Sequence, residues 1–337
     1  MKVVIVGAGR MGLRHATGIA GINQVSGITL IDISDKSLDN ARNQLFQTAD
    51  FSKFNFMSGE NFIQDSGKFD IAILASTAQN RIKDIELLQK NGVKHFLIEK
   101  PLGQSYQETL ELYKYIKANK IDAVVNLNMR LYDCFIGLKN DFNQIAQLKG
   151  EKTITINTGT IGIGANGIHY LDLLFFVLGA DSAELIAGEI DDSVIYSPRG
   201  ESFNDFGGWC KINFYATGRY LGKAIISISS QSSVFGVWEI LAPNGRITMD
   251  EIAQKRIDIL RKPDSQLPVY RYAGDYLSPV ESKIPSPFLG DLTRKWLEKL
   301  MNGENLLPSI ETSMGAHKLM FDWLQKSKKF KDKFPIT

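Results

Sequence analysis

Residues 1–12 read MKVVIVGAGRMG, and this stretch decides the fold of the N-terminal half of the chain. The apolar run from Lys2 to Val6 is typical of a strand buried on both faces of a parallel sheet. Gly7, Gly9 and Gly12 follow it with the spacing G-x-G-x-x-G. After a strand, the first glycine permits a tight turn, the second lets a pyrophosphate approach the backbone, and the third lets helix and strand pack closely. The stretch predicts a dinucleotide-binding turn.

The helix after this turn is expected to start near Met11, with Arg10 beside it, so that its positive dipole end faces the phosphates. Asp32 ends the next predicted strand, about 25 residues after Gly7. An acid at this place hydrogen-bonds the adenosine ribose hydroxyls and repels the 2′-phosphate of NADP. No arginine directly follows Asp32. We therefore predict NAD as the cofactor and NADP as the less favoured alternative.

The composition excludes several classes of function. The 337 residues include 39 basic and 37 acidic ones, a net charge of +2. A balance this close gives no excess of basic residues for binding nucleic acid or an anionic membrane. No apolar stretch approaches the roughly 20 residues that span a bilayer, and the N-terminus is not a signal peptide. Cys134 and Cys210 form no C-x-x-C pair, and no histidines have metal-ligand spacing. We expect a cytoplasmic protein without a bound metal.

Strand-like and helix-like segments alternate up to about residue 127, which predicts a doubly wound parallel sheet, an α/β Rossmann domain over residues 1–125. Beyond it, longer strands with polar alternation predict an α+β domain over residues 126–307, with a large, mostly antiparallel, open-faced sheet. Asn244-Gly245 between two such strands is a strong hairpin signal. A C-terminal helix at about 308–330 is expected to pack back near the first domain.

Four further motifs occur in order along the chain: Ala75-Ser76-Thr77, Glu99-Lys100-Pro101, Asn128-Met129-Arg130 and Gly167-Ile168-His169-Tyr170-Leu171-Asp172. They resemble the A-T-P, E-K-P, N-x-R and G-x-H-x-x-D motifs of the glucose–fructose oxidoreductase/inositol dehydrogenase family (Gfo/Idh/MocA). The resemblance extends over nearly the whole chain. It implies an NAD(P)-dependent oxidoreductase that moves a hydride between nicotinamide C4 and a hydroxyl-bearing carbon of a sugar, nucleotide sugar or cyclitol.

The resemblance also implies roles for single residues. Lys100 matches the lysine that contacts the substrate and the nicotinamide ribose, and His169 matches the histidine that acts as acid and base. Asp172 matches the acid that binds substrate or supports that histidine. Cofactor contacts are further expected from Glu99, Ser76 and Thr77, although the last two could simply cap the next helix.

This pairing is chemically reasonable, because oxidation of an alcohol by hydride transfer also requires removal of the hydroxyl proton. Histidine titrates near neutrality and can take that proton, while an ammonium group stabilises negative charge on the oxygen. The alternative is that His169 is a structural histidine at the start of an apolar helix. Further residues that could line a substrate pocket are Asn128, Arg130, Asn157, Asp205 and Trp209, with Arg130 suited to an anionic group.

One departure from the family pattern keeps a second function open. The family's acid four residues before the histidine falls on Ala165. The alternative is therefore a catalytically impaired NAD-binding regulator or scaffold of the same fold, and a third possibility is a reductase of a non-sugar substrate. The open sheet face is expected to make a homodimer or tetramer.

Overall fold

The computed structural model describes residues 1–48, 51–59, 68–197, 200, 203–234, 236–268, 275–327 and 333–334. The chain forms two compact units. The first contains Met1–Leu131 and Pro287–Met314, and the second contains Tyr132–Ser286 and the segment from Gly315. The division departs from the domain prediction, since residues 287–307 cluster with the first unit. The expected C-terminal helix is divided between the units, and its end beyond residue 327 lies outside the described residues.

The first unit contains a six-stranded parallel sheet. Its strands are β1 (Lys2–Val6), β2 (Gly27–Asp32), β3 (Phe54–Ser58), β4 (Ile71–Leu74), β5 (His95–Ile98) and β6 (Asp122–Val125). Their order in the sheet is β3-β2-β1-β4-β5-β6. This is the doubly wound Rossmann arrangement, and it confirms the predicted fold class of the N-terminal half.

The described helices of the whole chain are α1 (Arg10–Ala20), α2 (Asp35–Leu45), α3 (Arg81–Lys90), α4 (Tyr106–Ala118), α5 (Asp133–Gln144), α6 (Ile168–Leu178), α7 (Leu289–Met301) and α8 (Ile310–Leu324). Three of them begin with a serine cap, and for α8 the Ser309 hydroxyl oxygen accepts a hydrogen bond from the Thr312 N–H at 3.2 Å. The Ser34 hydroxyl oxygen accepts a hydrogen bond from the Ser37 N–H at 3.2 Å, and that of Ser105 accepts one from Glu108 at 3.1 Å. Such caps satisfy N–H groups that the first helical turn leaves unpaired.

The close crossing of α7 and α1 explains why residues 287–307 belong to the first unit. A Cβ on Gly18 of α1 would lie 2.2 Å from the carbonyl oxygen of Gly290 in α7, so only glycine permits this approach. Arg294 Nε donates to the Gly18 carbonyl at 3.1 Å. The contact joins segments more than 270 residues apart, so no local sequence pattern predicts it.

The second unit contains an eight-stranded sheet. Its strands are β7 (Lys152–Thr158), β8 (Ser182–Ile195), β9 (Asp205–Ala216), β10 (Arg219–Ile228), β11 (Val237–Ala242), β12 (Gly245–Asp250), β13 (Lys255–Leu260) and β14 (Val280–Lys283). Their order is β14-β13-β12-β11-β7-β10-β9-β8. Only the β7–β10 pair is parallel, which confirms the predicted mostly antiparallel sheet.

One face of this sheet is covered and the other is open. On the covered face, Trp238 contacts Phe135 of α5 at 5.2 Å between ring centroids, and Phe214 contacts Phe175 of α6 at 5.4 Å. Successive side chains of a strand point to opposite faces. The open face accordingly carries exposed residues such as Trp209 and Leu241.

The predicted hairpin between β11 and β12 is present, with Ala242 paired to Gly245 across Pro243-Asn244. A second tight hairpin joins β9 to β10 through Thr217 and Gly218, whose φ angles are 47° and 78°. Two consecutive positive φ angles are typical of the turns that match the twist of antiparallel strands.

Candidate functional site

Four sequence-predicted site residues follow neighbouring strands at one edge of the parallel sheet. Gly7 follows β1, Asp32 ends β2, Ser76 lies just after β4, and Lys100 lies just after β5. The central strand β1 pairs with β2 on one side and β4 on the other. The chain thus winds in opposite directions from β1, and ligands of open parallel sheets bind at such a switch point, outside the carboxyl ends of the strands.

The glycine turn has the shape that a pyrophosphate requires. Gly7 has a φ of +99°, and a Cβ there would lie 2.8 Å from the Ser76 nitrogen. A Cβ on Gly12 would lie 1.8 Å from the Gly7 carbonyl oxygen, whereas one on Gly9 would meet nothing within 4 Å. Gly7 and Gly12 are therefore required by the protein's own packing, and Gly9 faces open space. No side chain caps α1 at Gly9, so its first N–H groups fit a phosphate.

Asp32 is held in place by the backbone on both sides. Its Oδ2 accepts a hydrogen bond from the Ala8 N–H at 2.8 Å, and its Oδ1 accepts one from the Ser34 N–H at 2.9 Å. The carboxylate is thereby tied to the glycine turn. The next residue, Ile33, is 96% exposed.

Ser76 and Thr77 lie where the sequence predicts cofactor contacts. The Ser76 hydroxyl oxygen is buried and makes no hydrogen bond to any part of the chain that the structure describes. Thr77 is exposed. A buried hydroxyl without a partner at this edge suits a ligand that supplies one. Ser76 does not cap α3, because that helix begins without a side-chain cap.

Glu99 is the centre of a buried polar cluster. Its Oε1 lies 2.9 Å from His15 Nε2 and accepts a hydrogen bond from Asn126 Nδ2 at 2.6 Å. The other ring nitrogen of His15 lies 2.8 Å from the Thr293 hydroxyl. Burial alone would raise the pKa of Glu99, but His15, the Lys100 ammonium and Asn126 outweigh it and lower the pKa to about 2. The residue before Lys100 is thus a firmly held carboxylate.

Arg81 is a second element of this cluster that sequence analysis missed. The guanidinium is buried at the start of α3 and donates a hydrogen bond to the backbone carbonyl oxygen of Glu99. Burial lowers the pKa of Arg81 to about 10, against the opposing effect of Glu99 and Asp84. An arginine at a helix start gives no local signal of such a role, since most arginines are exposed.

Lys100 and the predicted substrate-binding residues Asn128 and Arg130 lie in the first unit. All three are partly exposed, and the last two form a single 3₁₀ turn, Asn128–Leu131, after β6. Sequence analysis assigned Asn128 and Arg130 to the second domain. Their side chains, like that of Lys100, are accessible to a small molecule.

In the second unit, His169 and Asp172 lie on α6, three residues apart and on one helix face. His169 is 7% exposed and Asp172 is 1% exposed. The neighbouring Tyr170 has a different environment, because its hydroxyl donates to Glu251 Oε2 at 2.9 Å. Burial is the main cause that raises the pKa of Glu251. Tyr170 and Glu251 belong to the packing against Trp238, and not to the face that carries His169.

A π-helical turn, Ile163–Gly167, leads directly into α6, and Ala165 lies at its middle. The carboxylate of Asp205, from the start of β9, accepts hydrogen bonds from two N–H groups of this turn. The distances are 3.2 Å from Gly164 and 2.7 Å from Ala165. Sequence analysis named Asp205 only as a pocket residue and did not connect it with this turn, because about 40 residues separate them.

Two predicted pocket residues are not brought to His169. Asn157 is exposed and lies on β7 between the buried Ile156 and Thr158, so it points to the open face of the sheet. Trp209 lies in the same row of the sheet and donates to Glu189 Oε2 at 3.3 Å. The side-chain alternation of a strand explains this correction, since α6 covers the opposite face.

Among the residues that the structure describes, no group of three or more histidine, cysteine, aspartate or glutamate side chains is arranged to hold a metal ion. No described helix is both long and apolar enough to cross a membrane.

Comparison with known proteins agrees with this geometry. Residues 1–127 match the sequence model described as "Oxidoreductase family, NAD-binding Rossmann fold" (GFO_IDH_MocA). A search of curated protein sequences found no match. Similar solved structures include an oxidoreductase from Agrobacterium radiobacter in complex with NAD⁺, L-tartaric acid and magnesium. It has a TM-score of 0.71 and 15% identity, covering 98% of this chain and 96% of that one.

Two other solved structures show how widely this fold is used. UDP-N-acetylglucosamine 3-dehydrogenase from Acidithiobacillus ferrooxidans has a TM-score of 0.66 and 14% identity, with 96% of each chain covered. A super-repressor mutant of Gal80p from Saccharomyces cerevisiae has a TM-score of 0.72 and 11% identity, covering 97% of this chain and 96% of that one. At such low identity the likeness establishes the fold of the chain and not its substrate.

Proposed function

We propose that the chain is a dehydrogenase or reductase acting on CH–OH groups, on the premise that its residues 1–127 match the sequence model of the GFO_IDH_MocA oxidoreductase family with its NAD-binding Rossmann fold. The substrate is a sugar, a nucleotide sugar or a cyclitol. Lys100 and His169 are the polar catalytic pair. One observation carries the proposal: the edge of the parallel sheet that holds the cofactor turn also presents Lys100, directly after the buried Glu99.

The cofactor residues fit NAD better than NADP. The open space at Gly9 and the uncapped start of α1 suit the pyrophosphate, with Arg10 and Met11 in the first helical turn. The fixed Asp32 carboxylate suits two ribose hydroxyls and repels a phosphate in their place. Ile33 offers the adenine an apolar surface, and Ser76 offers an unused hydroxyl to the nicotinamide half.

NAD, when bound, accepts or returns a hydride at nicotinamide C4. The protein must handle the hydroxyl proton and the charge on the substrate oxygen. His169 takes the hydroxyl proton during oxidation and returns it during reduction. The Lys100 ammonium stabilises negative charge on the same oxygen, and Glu99 with its buried partners keeps the backbone before Lys100 fixed. Asp172, Asn128 and Arg130 bind the polar groups of the substrate.

A second candidate function is a regulator that binds NAD without catalysis. The observation in its favour is Ala165, since a methyl group replaces the family's acid four residues before His169. The fold also occurs in a repressor, as the similarity to Gal80p illustrates. The absorbance of the nicotinamide distinguishes the two functions, because only the enzyme changes it.

The proposed function is tested by following NADH absorbance with a panel of sugars, nucleotide sugars and cyclitols in both directions. We expect turnover with at least one member. His169→Asn and Lys100→Met should each lower kcat by about 10²- to 10⁴-fold, as expected for loss of an acid/base or charge-stabilising group, while NADH still binds. NADH binding without turnover across the panel would favour the regulator.

Matched controls separate catalysis from general damage. His95→Asn and Lys94→Met change the same residue types near the start of β5, at the opposite end of that strand from Lys100. The ring of His95 is partly exposed and pairs with Asp122, and Lys94 is exposed. Both variants should keep wild-type kcat. An equal loss in the controls would contradict the assigned pair.

The open face of the second sheet supports a further part of the proposal, self-association to a dimer or tetramer. Trp209 is 41% exposed and Leu241 is 48% exposed on that face. Light scattering should give at least twice the monomer mass, and Trp209→Glu with Leu241→Lys should reduce it. Ile252→Lys serves as the control because Ile252 lies in the loop between β12 and β13. A monomeric wild-type protein would contradict this part.

A further inference from the structure

The Asp205 carboxylate is placed to act on the start of the helix that carries His169. It is 4% exposed, and its Oδ1 accepts hydrogen bonds from the N–H groups of Gly164 at 3.2 Å and Phe206 at 2.7 Å. Its Oδ2 accepts one from Ala165 at 2.7 Å. Three backbone donors on one buried carboxylate form a strong, charge-assisted contact. Two of them come from the turn before α6.

The turn itself is built around this carboxylate. Gly162 has a φ of 72°, and a Cβ there would lie 2.2 Å from Asp205 Oδ2. The N–H of Gly167 donates to the Gly162 carbonyl at 2.7 Å, which closes the wide turn. A Cβ on Gly167 would lie 2.9 Å from the end of the Ile228 side chain. The turn therefore has little freedom to move away from Asp205.

The position of His169 depends on this turn. The ring is on the second residue of α6, and the turn ends at Gly167 directly before that helix. A carboxylate at the N-terminal side of a helix is also favoured by the helix dipole. Displacement of the turn would shift the first turn of α6, and with it the imidazole. By contrast, the methyl group of Ala165 can neither anchor the turn nor contribute charge.

We propose that Asp205 is a positioning residue for His169: it supplies from β9 the carboxylate that the turn around Ala165 lacks. The inference rests on the proposed function, in which His169 handles the substrate proton. Asp205 acts through the backbone of the turn and is not itself assigned a contact with the substrate.

The test compares Asp205→Asn with the wild type in three measurements. The asparagine has the same shape, but its NH₂ group cannot accept the N–H bonds that one carboxylate oxygen accepts. We expect kcat to fall by about 100-fold, the size expected for a misplacement of about 1 Å at a catalytic group. The KM for NADH should stay unchanged, because the cofactor turn is in the other unit. The ring proton shifts of His169, measured by NMR at fixed pH, should move.

Asp181→Asn is the matched control. The Asp181 carboxylate also accepts a backbone N–H, that of Thr217 at 2.6 Å, but it lies at the surface beside a hairpin. This variant should keep the wild-type kcat and His169 shifts. If Asp205→Asn does not fold, Asp205→Glu, which keeps both acceptor oxygens on a side chain one methylene longer, should give an intermediate loss of kcat and an intermediate shift.

The outcomes separate this inference from the proposed function. An unchanged kcat and unchanged His169 shifts in a folded Asp205→Asn protein would overturn the positioning role. Moved His169 shifts with an unchanged kcat would also overturn it. If the wild type shows no turnover with the panel, the proposed function fails. The NMR shifts then still decide whether Asp205 positions the imidazole.

Discussion

Two turns, one in each unit, lead into a helix that carries predicted site residues, and they are built in different ways. The cofactor turn before α1 is local, because Gly7, Gly9 and Gly12 supply its shape within six residues. The turn before α6 depends on Asp205, which is about 40 residues further along the chain. A turn that must leave room for phosphates needs small residues, whereas a turn that must hold an imidazole in place needs an anchor.

The difference extends to what each turn presents to a ligand. The first turn donates the Ala8 N–H to Asp32, but the start of α1 has no side-chain cap and offers its N–H groups to an outside anion. The second turn has its N–H groups occupied by a carboxylate of the protein itself. We infer that the first is a binding site and the second a support, and the following predictions test this distinction.

The largest effect is expected within the cofactor turn. Two alanine substitutions there separate the stability of the fold from the binding of the cofactor. Gly12→Ala places a Cβ 1.8 Å from the Gly7 carbonyl oxygen, so it should lower the free energy of unfolding by about 3 kcal/mol. Gly9→Ala meets no protein atom within 4 Å and should leave the free energy of unfolding unchanged.

The affinity for NADH should respond to Gly9→Ala, the substitution that leaves the free energy of unfolding unchanged. Gly9→Ala should weaken NADH binding by about 10- to 100-fold, about 1.4–2.7 kcal/mol, in a protein of full stability, because the methyl group occupies the phosphate position. Thermal unfolding and fluorescence titration check the pair. Wild-type NADH affinity in Gly9→Ala would contradict the assignment of the turn as the phosphate site.

The next effect concerns the buried Glu99. Its pKa in the folded state is about 2, below the ordinary 4.5, so its ionised form stabilises the fold fully above pH 4.5. That stability is lost as the pH falls from 4.5 toward 2, and a shift of this size corresponds to about 3 kcal/mol. Glu99→Gln should therefore be less stable than the wild type at pH 7, and the difference should shrink at low pH.

Urea unfolding at several pH values measures this difference, with Glu86→Gln on the exposed side of α3 as the control. A constant gap between wild type and Glu99→Gln from pH 7 to pH 3 would show that the charge of Glu99 is not what stabilises the cluster.

A smaller effect is expected at Asp32. Asp32→Ser removes the negative charge that opposes the 2′-phosphate, while its hydroxyl can still accept a backbone N–H. The ratio of NAD to NADP affinity should fall by about tenfold, or about 1.4 kcal/mol. Asp35→Ser, at the exposed start of α2, is the control and should keep the ratio. A wild-type ratio in Asp32→Ser would remove the reason for preferring NAD.

The glycine turn could be predicted from the sequence because Gly7, Gly9 and Gly12 lie within one motif, and the hairpin at Pro243-Asn244 could be predicted because its signal is also local. The second turn could not, since its anchor comes from a different strand. The Glu99 cluster shows the same limit: Glu99 was found as part of E-K-P, but His15, Asn126 and Thr293 reach it from three distant segments. Sequence spacing reports neighbours along the chain, and such side chains become neighbours only through folding.

Asn157 illustrates another limit. Its polar side chain fitted a substrate pocket, but the register of β7 turns it to the open face. Asn157→Ala should change neither kcat nor KM for the substrate, and should alter the free energy of unfolding by less than about 0.5 kcal/mol. Steady-state kinetics beside the wild type would check this smallest effect. A raised KM would restore Asn157 to the substrate site.

The measurement that tests the central claim most directly is the transfer of isotope from NADH labelled with deuterium at C4 of the nicotinamide. The keto form of the substrate that turns over in the panel is reduced with each labelled face of NADH, and the product is examined by mass spectrometry. We expect one deuterium on the carbinol carbon from one face only, and about 10²- to 10⁴-fold slower labelling in His169→Asn. NADH binding without deuterium in any product would contradict it and leave a protein that binds the dinucleotide but moves no hydride.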